Sequence, residues 1–282
     1  MEPPAVQHVT IVGVGLLGGS AGLAIRRHWP DARIIGVGRR MSSLTEALNA
    51  GCIDEAGTDP LVASESDLVL LCTPVRAIET LLGRLAGSLR EDVLITDVGS
   101  TKTDVVSAAT TALGEDGPFV GSHPMAGSEK KGPRHADADL YRGATCVLTP
   151  TARTPAHLLA RARGLWETLG MRCVEMSPKA HDQAVACVSH LPHVLASLLM
   201  LLPAEEDLQV AATGFADMTR LAAGDPEMWR DICLTNSAAI AESIDALVSA
   251  LSGLRDDVLR GDGDALQGLL ARAQQRKLGQ DG

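Results

Sequence analysis

The sequence predicts an α/β protein: a doubly wound sheet over residues 1–176, followed by an all-helical domain over 177–282. Three observations predict it. Short β-branched runs alternate with helical patterns as far as residue 176, several of those runs are apolar throughout, and strand-like runs stop after "MSP" at 176–178. Alternation of this kind builds βαβ units, and a continuous apolar run suits a strand covered on both faces.

The strand candidates are "HVTIVGVG" (8–15), "RIIGV" (33–37), "DLVLLCTPV" (67–75), "DVLITDVG" (92–99), "FVGS" (119–122), "ATCVLTP" (144–150) and "RCVEM" (172–176). Helical patterns fill 18–28, 42–50, 76–88, 101–112 and 155–169 between them. In the second part, helices are predicted over 178–202, 208–223, 226–260 and 262–276, with Pro178 and Pro226 placed in first turns, where a missing N–H costs nothing.

Composition narrows the function classes. A net charge of −10 argues against nucleic acid as a partner. Aromatics make up 2% of a chain that is 45% hydrophobic, so the core is aliphatic. The six cysteines form no CxxC pair and several sit in apolar runs, the usage of buried thiols in a reducing compartment. The N-terminus shows no basic-then-apolar leader, and the longest apolar stretch, 184–202, is broken by His190, Pro192 and His193. The expectation is a cytoplasmic protein that does not span a membrane.

"GVGLLGG" (13–19) closes the first strand and opens the first helix. Gly13, Gly15 and Gly18 have GxGxxG spacing: a tight turn, a close backbone approach to a pyrophosphate, and close helix–strand packing. This is the dinucleotide site of a Rossmann-type sheet, with the N–H groups near Leu16 and Leu17 turned to the phosphates. At the end of the second strand, "GVGRRMSS" has no carboxylate for a ribose 2′-hydroxyl. Arg39 and Arg40 stand where a 2′-phosphate would lie, so NADP is expected over NAD.

"GVGLLGGS", "CTPV", "DVGSTK", "GSHPMAGSEKKGP", "SHLPH" and "GFADMTRLAAGDPEMWRDI" occur in that order, and together they resemble the prephenate/arogenate dehydrogenase family of tyrosine biosynthesis. The resemblance runs from about residue 8 to 270, and nothing in the chain resembles the regulatory ACT domain or fused chorismate mutase of some members. It implies an oxidative decarboxylation: hydride leaves C4 of a cyclohexadienol for NAD(P), and loss of the ring carboxylate makes the ring aromatic.

That chemistry needs an acceptor for the C4-hydroxyl proton and a cation for the ring carboxylate. The resemblance assigns the first to His123 and the second to Arg220; the spacing on the helix offers Asp217, one turn earlier, as a resting partner for the guanidinium. Ser100 matches the serine that bridges substrate, histidine and nicotinamide; on its own it reads as an N-cap of the following helix. Ser128 and Glu129 match the entrance of the site, and His190 and His193 the lining of the substrate pocket. Thr73 and Pro74, in "CTPV", join the cofactor loop. An HxxH pair can bind metal, but no third ligand lies nearby in sequence, so no metal is expected.

Ala216 departs from the family, whose members often carry a basic residue there; this bears on recognition of the substrate side chain. Prephenate and arogenate both remain open. A β-hydroxyacid dehydrogenase fits poorly, because Lys179 is the only lysine between 132 and 276. A 4-amino-4-deoxyprephenate dehydrogenase, or a redox sensor holding NAD(P) without turnover, is a further alternative. A homodimer through the amphipathic stretch 232–254 is expected.

Overall fold

The structure, a computed structural model, describes residues 6–128 and 130–279. Its centre is one sheet in the order β3-β2-β1-β4-β5-β6-β7-β8. The strands are β1 (His8–Val12), β2 (Arg33–Val37), β3 (Glu55–Gly57), β4 (Leu68–Leu71), β5 (Leu94–Asp97), β6 (Phe119–Pro124), β7 (Thr145–Thr149) and β8 (Arg172–Glu175). Every neighbouring pair is parallel except β6 with β7. Around it pack α1 (Leu16–His28), α2 (Met41–Asn49), α3 (Val75–Leu85), α4 (Thr103–Leu113) and α5 (Ala156–Thr168).

Side chains of a strand point alternately to the two faces, and the core divides accordingly. Val9, Ile11, Leu68 and Leu70 pack on one face with Ile25, Tyr141 and Trp166. Val12, Val69 and Leu71 pack on the other with Ile78, Leu82 and Val105. The predicted α/β architecture is present. β3 is the strand that the sequence did not announce: it is three residues long, carries Glu55, and pairs only with β2 at the sheet edge. A short, charged edge strand protects the sheet but has no apolar period to detect.

After the sheet come α6 (Pro178–Val185), α7 (Leu191–Leu201), α8 (Thr213–Thr219), α9 (Pro226–Thr235), α10 (Ser237–Arg260) and α11 (Gly263–Leu278). Three predicted helices are interrupted. A π turn at Ala186–His190 stands between α6 and α7, just before Pro192, which cannot supply an N–H to the ladder. The predicted 208–223 opens with a 3₁₀ turn at Asp207–Val210 and closes with another at Arg220–Ala223, leaving α8 with seven residues. The predicted 226–260 breaks at Asn236, whose backbone leaves the helical region (φ −130°, ψ 32°). The Asn236 side chain is drawn instead to Asp182 and His190.

Pro178–Leu201 and Ser237–Arg260 are long and apolar enough to cross a membrane by length and composition. In the first, His181, Asp182, His190 and His193 are buried within the protein, while Val188, Leu198, Met200 and Leu201 are exposed. The described residues up to Ser237 form one compact unit, and those from Ala238 onward form a second. In the second unit Val248, Leu251, Val258 and Leu259 of α10 are exposed. Their spacing places them on one side of the helix.

Candidate active site

The sheet reverses its winding at β1, which lies between β2 and β4. Ligands of open α/β sheets bind beyond the strand ends at such a point. Here the two loops that meet are the turn after β1, with Gly13 and Gly15, and the turn after β4, with Thr73 and Pro74. Gly13 has φ +97°, and a Cβ on it would lie 2.6 Å from the Cys72 carbonyl oxygen. A Cβ on Gly18 would lie 2.2 Å from the Gly13 oxygen, so both positions demand glycine. Gly15 faces open space.

α1 has no side-chain cap and no acid in its first turn, which leaves its N-terminal N–H groups and positive dipole for an anion. Leu16 and Leu17 form that turn, and the Leu17 carbonyl accepts the buried Tyr141 hydroxyl at 2.8 Å. Thr73 Oγ1 is buried without a partner among the described residues, a polar atom waiting for a ligand. These features fit a dinucleotide. Arg39 and Arg40, after β2, are exposed and make no ion pair among the described residues.

His123 departs from its predicted place. Rather than following a strand in a loop, it lies within β6, because antiparallel pairing with β7 (His123 opposite Val147, Pro124 opposite Cys146) carries the strand past Ser122. The residue is buried, 8% exposed. Its Nδ1 lies 2.9 Å from Nε2 of His181, whose own Nδ1 lies 2.8 Å from Oδ1 of Asp182. Burial first, then the neighbouring His181, Lys102 and His190, lowers the His123 pKa well below its ordinary 6.5.

His181 and Asp182 were missed by sequence reasoning. The one available signal was their adjacency in "KAHDQ", on a stretch that also holds His190 and His193. Asp182 also accepts the backbone N–H groups of Lys102 and Thr103, each at 2.8 Å. It thereby caps α4, the role that sequence reasoning offered to Ser100, and Ser100 is left half-buried in the loop after β5 with no bonded partner among the described residues. Below this loop Lys102 is wholly buried against Asp97, and its ammonium also donates to the Ser122 carbonyl at 2.9 Å.

His190 and His193 are buried and both meet Trp229, His190 edge-on with centroids 6.0 Å apart. His190 Nδ1 lies 3.2 Å from the Asn236 amide nitrogen, while His193 stacks on Trp229 with centroids 3.5 Å apart. Burial lowers the pKa of both, that of His190 to about 4. Ser128 is exposed and accepts from the Lys130 N–H at 3.3 Å. Glu129 lies outside the described residues. Arg220 is exposed at the start of a 3₁₀ turn and pairs with no carboxylate among the described residues, so the expected Asp217 contact is not made.

The family model for the prephenate dehydrogenase nucleotide-binding domain matches residues 21–175, and that for the dimerization domain matches 177–272. The chain belongs to the prephenate dehydrogenase family. It is 35% identical to the cyclohexadienyl dehydrogenase of Zymomonas mobilis over 96% of this chain and 95% of that one. It is 37% identical to the prephenate dehydrogenase of Bacillus subtilis over 92% of this chain and 72% of that one. Among solved structures it resembles prephenate dehydrogenase from Aquifex aeolicus in complex with hydroxyphenyl propionate and NAD+, with TM-score 0.91, 35% identity and 98% of each chain covered. As a member of the prephenate dehydrogenase family it is an oxidoreductase that carries out an NAD(P)-dependent oxidative decarboxylation.

Proposed function

We propose that the substrate is prephenate or arogenate, that NADP is preferred over NAD, and that His123 accepts the C4-hydroxyl proton. The observation that carries this reading is His123 itself. It is a buried imidazole kept neutral by its surroundings, standing at the carboxyl end of β6, with one ring nitrogen bonded and the other without a partner among the described residues. A neutral imidazole is the side chain suited to take a hydroxyl proton near neutral pH.

Gly13, Gly15, Leu16, Leu17, Gly18, Thr73 and Pro74 would hold the dinucleotide, and the unpaired Arg39 and Arg40 would take a 2′-phosphate. When bound, the nicotinamide accepts the hydride from C4. Ser100 stands on the loop between β5 and α4, with its hydroxyl free to donate to the C4 oxygen or to His123. Arg220 offers a free guanidinium to the ring carboxylate, which it would orient bidentately without protonating. Ser128, Glu129, His190 and His193 would border the substrate.

The functional division is placed at 176/177, with the helical part making a homodimer through the exposed apolar side of α10. The compartment is cytoplasmic. Turnover of prephenate and of arogenate, each with NAD and with NADP, tests the reading. Oxidation of neither substrate by either cofactor would refute it.

A further inference from the structure

We propose that His181 and Asp182 are positioning residues that lock His123 in its Nδ1–H tautomer, so that Nε2 is the atom that receives the substrate proton. The inference rests on the reading of His123 as proton acceptor and specifies the atom and the device that prepares it.

Two hydrogen bonds run in series from His123 through His181 to Asp182. Burial alone would raise the Asp182 carboxyl pKa, yet hydrogen bonds from His181, Thr103 and Lys102 hold it below the ordinary carboxylate range. Asp182 is therefore an acceptor only, and His181 Nδ1, 2.8 Å from Oδ1, must carry a hydrogen. His181 is fully buried. His181 takes part in this proposal as a neutral imidazole, with that hydrogen as its one ring proton. His181 Nε2 is thus a lone pair. The group facing it at 2.9 Å, His123 Nδ1, must be the donor.

Neutral His123 then carries its single proton on Nδ1, and its Nε2 lone pair is left for the substrate. When the C4 O–H bond breaks, its proton forms an N–H bond at Nε2, and the positive charge on the ring is stabilised through His181 by the Asp182 carboxylate. No proton need leave Nδ1. The same carboxylate caps α4 at Lys102 and Thr103, two and three residues beyond Ser100, and the Asp182 backbone carbonyl accepts from Asn236 Nδ2 at 2.8 Å. One side chain thereby fixes both the tautomer of the acceptor and the height of the loop that bears Ser100.

The wild-type tautomers are read directly by NMR of protein labelled with ¹⁵N-histidine, without substrate, the His123 signals being assigned by their loss in His123→Asn. Both His123 and His181 are expected to be protonated at Nδ1 and bare at Nε2. In His181→Phe, which keeps a ring of similar shape but no acceptor, kcat should fall by about 10²–10³-fold with dinucleotide Kd within twofold, because a triad that loses its orienting member loses rate rather than cofactor binding. Asp182→Asn should shift His181 toward the Nε2–H tautomer, and His123 with it.

A wild-type His123 protonated at Nε2, or His181→Phe with kcat within threefold of wild type, overturns the proposal. The NMR measurement requires no turnover, so failure to oxidise prephenate or arogenate would count against the substrate reading and leave the tautomer result standing. The reverse result, normal turnover with the opposite tautomer, would remove only the lock.

Discussion

Lys102 and Asp97 form an ion pair with no solvent exposure on either side chain, and the Lys102 ammonium also donates to the carbonyl of Ser122, the residue before His123. Burial pulls the Lys102 pKa down while Asp97 opposes the shift. Asp97 is also bonded to the N–H groups of Ser122, at 3.0 Å, and Gly99, at 2.8 Å. Removing one partner leaves the other charge buried and uncompensated, which costs about 3–5 kcal/mol. Lys102→Met should therefore lower the thermal midpoint by on the order of 10 °C. Adding Asp97→Asn should restore part of the loss, since it removes the orphaned charge. If Lys102→Met melts within two degrees of wild type, the pair does not support the loop.

Cofactor choice is expected to rest on Arg39 and Arg40, which are exposed and unpaired after β2. Loss of charge-assisted contacts to a phosphate costs about 1.5–3 kcal/mol, roughly 10- to 100-fold in affinity. The double variant Arg39→Ala, Arg40→Ala should raise KM for NADP by that factor and leave KM for NAD within twofold. Wild-type enzyme that uses NAD as well as NADP would end this assignment.

The alternation of apolar runs and helices was legible in the sequence because each strand of the inner sheet is covered on both faces. The glycines of the first turn were legible because their backbone geometry excludes a Cβ. His123 was legible through its loop motif. Its supporting pair was not, because His181 meets His123 across 58 residues of sequence and Asp182 caps a helix 80 residues earlier. No local period encodes such contacts. Asn236 illustrates the same limit: it interrupts a helical pattern in favour of two distant acceptors, Asp182 and His190.

Acid should destabilise the fold before the carboxylates titrate. His190 falls from an ordinary 6.5 to about 4, through burial first and then His181 and His193, with Asp182 opposing. A histidine depressed in the folded state contributes its full stability above the unfolded value of ~6.5, and that contribution is lost as pH falls toward the folded value. For His190 the loss reaches about 2 kcal/mol by about pH 5. Urea midpoints measured from pH 7.5 down to pH 5 should fall steeply in wild type. The slope should be shallower in His190→Gln, which keeps an acceptor for Asn236 but does not titrate. Parallel slopes would show that His190 is not held neutral.

His123→Asn keeps a polar side chain of similar reach but cannot accept a full proton. It should reduce kcat by about 10²–10⁴-fold, the usual worth of general acid–base catalysis, and leave dinucleotide binding intact. The pH profile tests the environment as well as the residue. An unperturbed histidine would place the acidic limb of kcat/KM near ~6.5. Burial and the facing His181, Lys102 and His190 lower the His123 value well below that. The neutral, active form therefore persists to lower pH, and kcat/KM should stay flat from pH 8 down through 6.5 and decline only in more acid solution. That decline should vanish in His123→Asn. A limb centred at or above 6.5 in wild type would mean that the imidazole meets solvent and that its burial does not set its protonation.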